Sequence, residues 1–470
     1  MSRETLFGDL PEVEPAAREW LGQPRLREPV RDQVELRAVD LEALLPAEHP
    51  ARVIWAYVQK LDLSALEETV RARVHGPGQA PVSPRLQLAL WLFATSQGVG
   101  SARALARLCE SHDGYRWLCG GVSVNYHSLS EFRTAHPELL DRLLVEHVAS
   151  LSVAGVIDLD EVVQDGVRVR AAAGASSFRR KKKLHKELKK AKRLVEHLRQ
   201  ENDDDPDASN KRIKAAQDRA VREREARVAA ALEQLAEIEA HRARRGRENR
   251  TNRKKGSKRS EPRASTTDPQ ARVMKMADGG FRPAYNCQVA SVAEGQIAIA
   301  VDATNVGSDR GLMRPMQERL AGFYGRAKRY LVDGGFNKNE DIEWAAAEGI
   351  KVYGPPANSK HRTDPYAPRS DDGPGMAAWR RRMKSPHGKG VYKRRAPGEC
   401  INARFRNWGL RQFTVRGREK VLTALRWFAS PTTFSPDTGS WPKPHDQTNL
   451  EGILPIAPSP YQGKCRARNS

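Results

Sequence analysis

Cysteine is scarce in this chain: Cys109, Cys119, Cys287, Cys400 and Cys465 are scattered over 470 positions. No close CxxC pair offers a zinc site, and the odd count argues against a disulfide framework, so the five read as reduced thiols with structural roles. Long apolar runs are missing too. No stretch approaches the roughly 20 residues of a spanning helix, and the first residues, with Glu4, Asp9 and Glu12, lack a signal-peptide pattern. The chain reads as soluble and cytoplasmic. A hydrophobic fraction of 39% is modest for this length, which points to two or three domains with solvated extensions rather than one core. Negative charge is in deficit, with 58 acidic against 80 basic residues and a formal net charge of +22. A large polyanion is the expected partner, because Lys and Arg gain most where phosphates hold condensed counterions. Nucleic acid comes first and a membrane surface second.

Pro- and charge-rich residues 1–37 suggest a loosely ordered arm. Over 38–156 apolar residues recur at helical spacing, as in Leu86, Leu88, Leu90, Leu92 and Phe93, and the region is expected to be an all-helical domain. Within it, short helices at 101–109 and 128–133 around the turn-rich 112–125 would make a loose helix-turn-helix, one route to DNA binding, although packed bundle is the commoner meaning of such a pattern. Composition changes at Val156. Residues 162–169 alternate, which puts Val163, Asp165, Val167 and Val169 on one face of a strand, and an acid among three valines needs a partner.

Residues 178–263 then form a strongly basic insertion. Leu184, Leu188, Val195 and Leu198 in one arm, and Ile213, Ala216, Ala220, Val228, Leu232 and Leu235 in the other, predict an antiparallel helical hairpin broken at 202–210. Strands at 284–292 and 296–302 follow, then a helix at 311–324 and a strand at 329–332 ending in Asp333. A helix from about Asn339, a strand at 350–353 and a helix carrying Glu399 complete the order. This is the order of an α/β ribonuclease-H-like mixed-sheet core, spanning 157–429 and interrupted by the hairpin. Asp165 and Asp333 meet at one edge of such a sheet and Glu399 can close the site. Asp268, Asp278, Asp302 and Asp309 read as cap, turn or loop residues.

At these residues a specific resemblance emerges. The segments QDGVRVRAAAGASSFRR (164–180), STTDPQARVMKMADGGFRPAYNCQVA (265–290), VDATNVGSDRG (301–311), YLVDGGFNKNEDI (330–342) and PGECINARFRNWGLRQFTVRGREKV (397–421) resemble bacterial insertion-sequence transposases of the DDE class. The likeness extends over roughly 35–430, and Ser128-Leu129-Ser130-Glu131-Phe132-Arg133 resembles a segment of that family's helical domain.

The resemblance implies a metal-dependent enzyme that cuts and joins DNA. Asp165, Asp333 and Glu399 would be both the catalytic residues and the ligands of two Mg²⁺ ions, with Mn²⁺ able to substitute. Glu419 is the rival for the third place. The implied partners are double-stranded DNA at the transposon ends, target DNA and further copies of the chain on that DNA. Lys181, Lys182, Lys183, Arg404, Arg406, Arg411, Arg416 and Lys420 are the expected DNA contacts, with Trp408 and Phe413 either core or stacking residues. A nuclease that hydrolyses without joining, and an inactive DNA-binding remnant, are the alternatives. Residues 430–470, rich in Pro, Ser and Thr, depart from the family's apolar continuation and read as sequence in a shifted frame.

Overall fold

A Pro in the first turn starts three of the N-terminal helices, where its missing N–H costs nothing, and a side-chain cap starts others. In the computed structural model, which describes residues 38, 40–70, 72, 79–204, 211–248, 261–293, 296–356 and 364–434, these helices are α1 (Pro50–Lys60), α2 (Ser64–Glu67), α3 (Pro84–Ser96), α4 (Ala102–Ser111), α5 (Asp113–Cys119), α6 (Tyr126–Ala135) and α7 (Pro137–Val153). Proline leads α1, α3 and α7, while Ser101 and Asn125 cap α4 and α6. Buried continuously from Leu86 to Thr95, α3 is the centre of an apolar cluster with Tyr115, Leu129 and Leu140. The expected turn-rich stretch 112–125 contains α5, so α4 and α6 are not the halves of a tight helix-turn-helix. His112 caps α5 and Tyr115 and Leu118 are buried, which is why this short segment holds a helix. The expected arm, 1–37, lies outside the described residues.

The strands are β1 (Glu161–Arg170), β2 (Phe178–Arg179), β3 (Ala264–Ser265), β4 (Arg272–Lys275), β5 (Phe281–Val292), β6 (Ala298–Thr304), β7 (Arg329–Val332) and β8 (Lys351–Tyr353). Central β1 runs antiparallel to β5 and parallel to β7, and β8 extends the sheet parallel to β7. Ala284 of β5 pairs with Arg170 on one side and Arg272 on the other, so β4 and β6 lie along the same edge of β5. Antiparallel β6, β5 and β1 followed by parallel β7 and β8 make a mixed sheet, consistent with a ribonuclease-H-like core. Apolar residues of the inner strands, among them Val163, Val289, Ile299 and Leu331, are almost fully buried.

Helices α8 (Lys181–Asp204) and α9 (Lys211–Glu248) form the inserted hairpin, and the paired β2 and β3 close its base. Among the described side chains of the hairpin, Leu184, Ala191, Val228, Ala231 and Leu235 are buried, with Leu188 and Leu232 packed against the cluster at the base. Ala216 and Ala220, expected in the seam, are exposed, and Val195 and Leu198 are only half-buried. The remaining helices are α10 (Met313–Tyr324), α11 (Asn339–Ala347), α12 (Pro374–Lys384), α13 (Pro386–Lys393), α14 (Ala396–Asn407) and α15 (Arg418–Ala429).

Helix α15 joins the two large clusters: Val421 and Leu425 belong to the sheet's core, whereas Trp427 packs with the N-terminal helices and donates to Arg133 O at 2.9 Å. Of the tail expected to be irregular, Ser430–Phe434 forms a 3-10 turn with Ser430, Pro431, Thr432 and Thr433 buried. Residues 435–470 lie outside the described residues. No helix among the described residues is long and apolar enough to cross a membrane.

Candidate active site

Alternation along β1 sends Asp165 to the face that carries Val163, Val167 and Val169. Its neighbour β7 pairs with β1 from Glu161↔Arg329 to Gln164↔Val332, so the next positions in register are Asp165 and Asp333. Two acids therefore stand on adjacent strands where β7 ends. Asp333 is exposed, and its Oδ1 accepts from the Gly335 amide at 3.0 Å, capping the turn Gly334–Phe336. The reverse face is also polar but is spent internally. Asp309 Oδ1 accepts from Asn286 at 2.7 Å and Gln288 at 3.0 Å, and its approach requires glycine at 166, where a Cβ would lie 2.5 Å from that oxygen.

Helix α14 covers the Asp165 face. It does so at very close range, since a Cβ on Gly398 would lie 2.3 Å from Val163 Cγ1. Ile401 and Phe405 anchor it in the core, and residues 395, 399 and 402 fall on one side at helical spacing. Buried Asn402 donates from Nδ2 to Asp165 Oδ2 at 2.7 Å. Arg395 lies 3.7 Å from Asp165 Oδ1 and also pairs with the exposed Glu399. Burial pushes the Asp165 carboxyl above its usual range; the Arg395 charge, the Asn402 hydrogen bond and the Gly166 amide pull it back, while Glu399 adds to the rise.

Asp165 and Asp333 are thus neighbours in register, and Glu399 is joined to Asp165 through a shared arginine. Among the described residues, no three His, Cys, Asp or Glu side chains stand close enough to hold a metal ion. The Arg395 guanidinium instead stands as the counter-charge shared by Asp165 and Glu399. The donor set still suits a hard divalent cation: carboxylate oxygens predominate, and the buried Asn402 Oδ1 beside them has no hydrogen-bond partner among the described residues. The rival Glu419 is in the first turn of α15, next to residues whose amides bond Asp268 and Gln270 rather than Asp165.

The expected DNA contacts fall into two groups. Lys182, Lys183, Arg406, Arg411, Arg416 and Lys420 are exposed. Lys181 instead pairs with Glu239 at 3.1 Å, and half-buried Arg404 donates to Gln296 at 3.1 Å and lies over Trp408. Phe413 is buried and Trp408 packs against the core, so both aromatics are structural. The sequence reading assigns no role to Arg395 or Asn402. Their spacing from Glu399, four and three residues, was the available signal.

Comparison with known proteins bears on the N-terminal helices. Residues 39–135 match the family described as Transposase domain (DUF772). No curated protein and no solved structure matches the chain. The matched segment holds α1 to α6, and the sheet with its carboxylates lies beyond it.

Proposed function

We propose that this chain is a DDE transposase acting on the ends of a mobile DNA element. The observation that carries the reading is the register of Asp165 with Asp333 beneath a helix bearing Glu399, on a ribonuclease-H-like sheet. The match of the N-terminal helices to a transposase domain supports it independently.

Asp165, Asp333 and Glu399 would hold Mg²⁺, or Mn²⁺ in its place. When bound, a pair of such ions activates the attacking oxygen and stabilises the leaving oxygen of an in-line displacement at phosphorus. Asn402 fixes the rotamer of Asp165 through Oδ2, which turns Oδ1 toward Arg395. Arg395 offsets the repulsion between Asp165 and Glu399 and fixes Glu399 at the rim. The exposed Arg406, Arg411, Arg416 and Lys420 present cations to the phosphates of double-stranded DNA, transposon end or target, on which several copies of the chain would assemble.

A second reading, an inactive DNA-binding remnant, is favoured by one feature: the three carboxylates do not form a single ligand group. One experiment separates the readings. The purified chain is incubated with supercoiled plasmid carrying the element's ends, in Mg²⁺. Nicks at the ends followed by strand-transfer products are expected; hydrolysis alone would indicate a nuclease, and binding without nicking would indicate the remnant.

A further inference from the structure

The base of the hairpin is closed by β2, β3 and a small apolar cluster, and beyond it α8 is largely exposed. Leu184 and Ala191, with Leu188 packed beside them, turn one side of α8 toward α9. Lys182, Lys186, Lys189 and Arg193 follow the spacing i, i+4, i+7, i+11 on the opposite side, with Lys183 and Lys190 flanking them, and all six are exposed. None of the six takes part in an ion pair among the described residues. Acids near this stretch sit elsewhere, Glu187 being paired with Arg179 at 3.2 Å, and Glu196 marks the far end of the stripe.

The second helix is different in kind. On α9 cations alternate with acids and pair along the helix, as in Arg222–Asp218 at 2.9 Å and Arg227–Glu223 at 3.5 Å. A helix solvated by mixed charge looks like α9. A face of one sign carries repulsion of its own, which a polyanion relieves.

From Lys182 to Arg193 the helix rises about 16 Å, with successive cations roughly 4.5–6 Å apart. Duplex DNA presents one charge per roughly 1.7 Å of axis, enough to meet every cation on the stripe. A lipid surface fits less well, since among the described residues Leu194 is the one large apolar side chain exposed on α8, which offers no apolar stripe to enter a bilayer. We infer that the Lys182–Lys186–Lys189–Arg193 face of α8 is a sequence-independent binding surface for the backbone of duplex DNA, separate from the contacts around the carboxylates. The inference rests on the reading of the chain as a DNA enzyme, but it does not require cleavage.

The test uses the full chain and a short linear duplex of arbitrary sequence, titrated over a range of salt concentrations. Changing Lys182→Gln, Lys186→Gln, Lys189→Gln and Arg193→Gln together should flatten the log–log salt slope by up to about 3.6, roughly 0.9 for each phosphate no longer neutralised. Charge-keeping changes, Lys182→Arg, Lys186→Arg, Lys189→Arg and Arg193→Lys, should retain the parent slope. Arg219→Gln with Arg224→Gln on α9 should retain it as well. An unchanged slope in the first variant overturns the inference, as does an equal loss in the α9 variant. So does a loss seen only with single-stranded DNA or with anionic vesicles. Failure of the plasmid to be nicked would leave this result standing, so the two proposals fail separately.

Discussion

The Asn402 amide donates to the Asp165 carboxylate at 2.7 Å across 237 positions of sequence, tying α14 to the central strand. This bond makes Asn402 a positioning residue. Asn402→Ala should lower cleavage roughly 10- to 100-fold, the equivalent of about 1.5–3 kcal/mol for a hydrogen bond to a charged group. DNA affinity should be unchanged. A rate within twofold of the parent would show that Asp165 needs no such support.

Asp165→Asn, Asp333→Asn and Glu399→Gln should each abolish cleavage while leaving binding to end DNA intact, because each removes a proposed ligand oxygen and spares the basic surface. Thermal melting gives a second readout. Mg²⁺ should raise the melting temperature of the parent and fail to do so in Asp165→Asn. Normal cleavage by Glu399→Gln together with loss in Glu419→Gln would move the third carboxylate to α15.

Gly398 sets the distance between α14 and the sheet. Gly398→Ala puts a methyl 2.3 Å from Val163 Cγ1, so the helix must lift, at an expected cost of about 1–3 kcal/mol together with most of the cleavage activity. Adding Val163→Ala should recover part of both. If the double variant is no better than Gly398→Ala alone, the close contact is not what holds Asn402 on Asp165.

Much of this site was legible from the strands. The alternation around Asp165 and the short β7 ending in Asp333 predict two acids at one sheet edge, and β7 falls at the expected residues 329–332. Arg395 was harder to see because a single arginine among Arg394, Lys393 and Arg395 carries no periodic signal; only the fold places it against Asp165. Helices α12 and α13 were missed for a related reason. In α12 the buried Met376, Trp379 and Met383 sit at helical spacing, but arginines and the flanking Gly and Pro obscure the pattern, and buried Arg380 is satisfied by Asp372 at 2.6 Å. The apolar period of the hairpin continues through Ala216 and Ala220, but both are exposed.

His147 of α7 gives the fold a pH dependence. Its ring is stacked 4.8 Å from Tyr57 and lies 4.6 Å from Phe434, and burial pulls its pKa from 6.5 to about 4. The unfolded chain therefore takes up the proton first. Stability should be full above about pH 6.5 and fall as the pH drops toward about 4, at up to about 1.4 kcal/mol per unit and about 3 kcal/mol in all. His147→Phe keeps an aromatic ring and removes the titration, so its melting temperature should vary less between pH 6.5 and 4. An identical slope in parent and variant would assign the acid sensitivity to other groups.

Thr432 tests whether the start of the tail belongs to the fold. It is fully buried, accepts from the Ala298 amide of β6 at 3.0 Å and donates to Ala429 O at 2.6 Å. Sequence read in a shifted frame has no reason to supply a hydroxyl to an edge strand of the core. Thr432→Val preserves the side-chain shape and leaves that amide unpaired, which should cost about 1–3 kcal/mol, whereas Thr432→Ser keeps the bond and should cost less. The melting temperature should accordingly drop by several degrees in the valine variant and less in the serine variant. If valine is neutral, the segment is a passenger on the helix before it. Replacement of the tail by the alternative-frame sequence should then raise stability, as expected of a damaged copy.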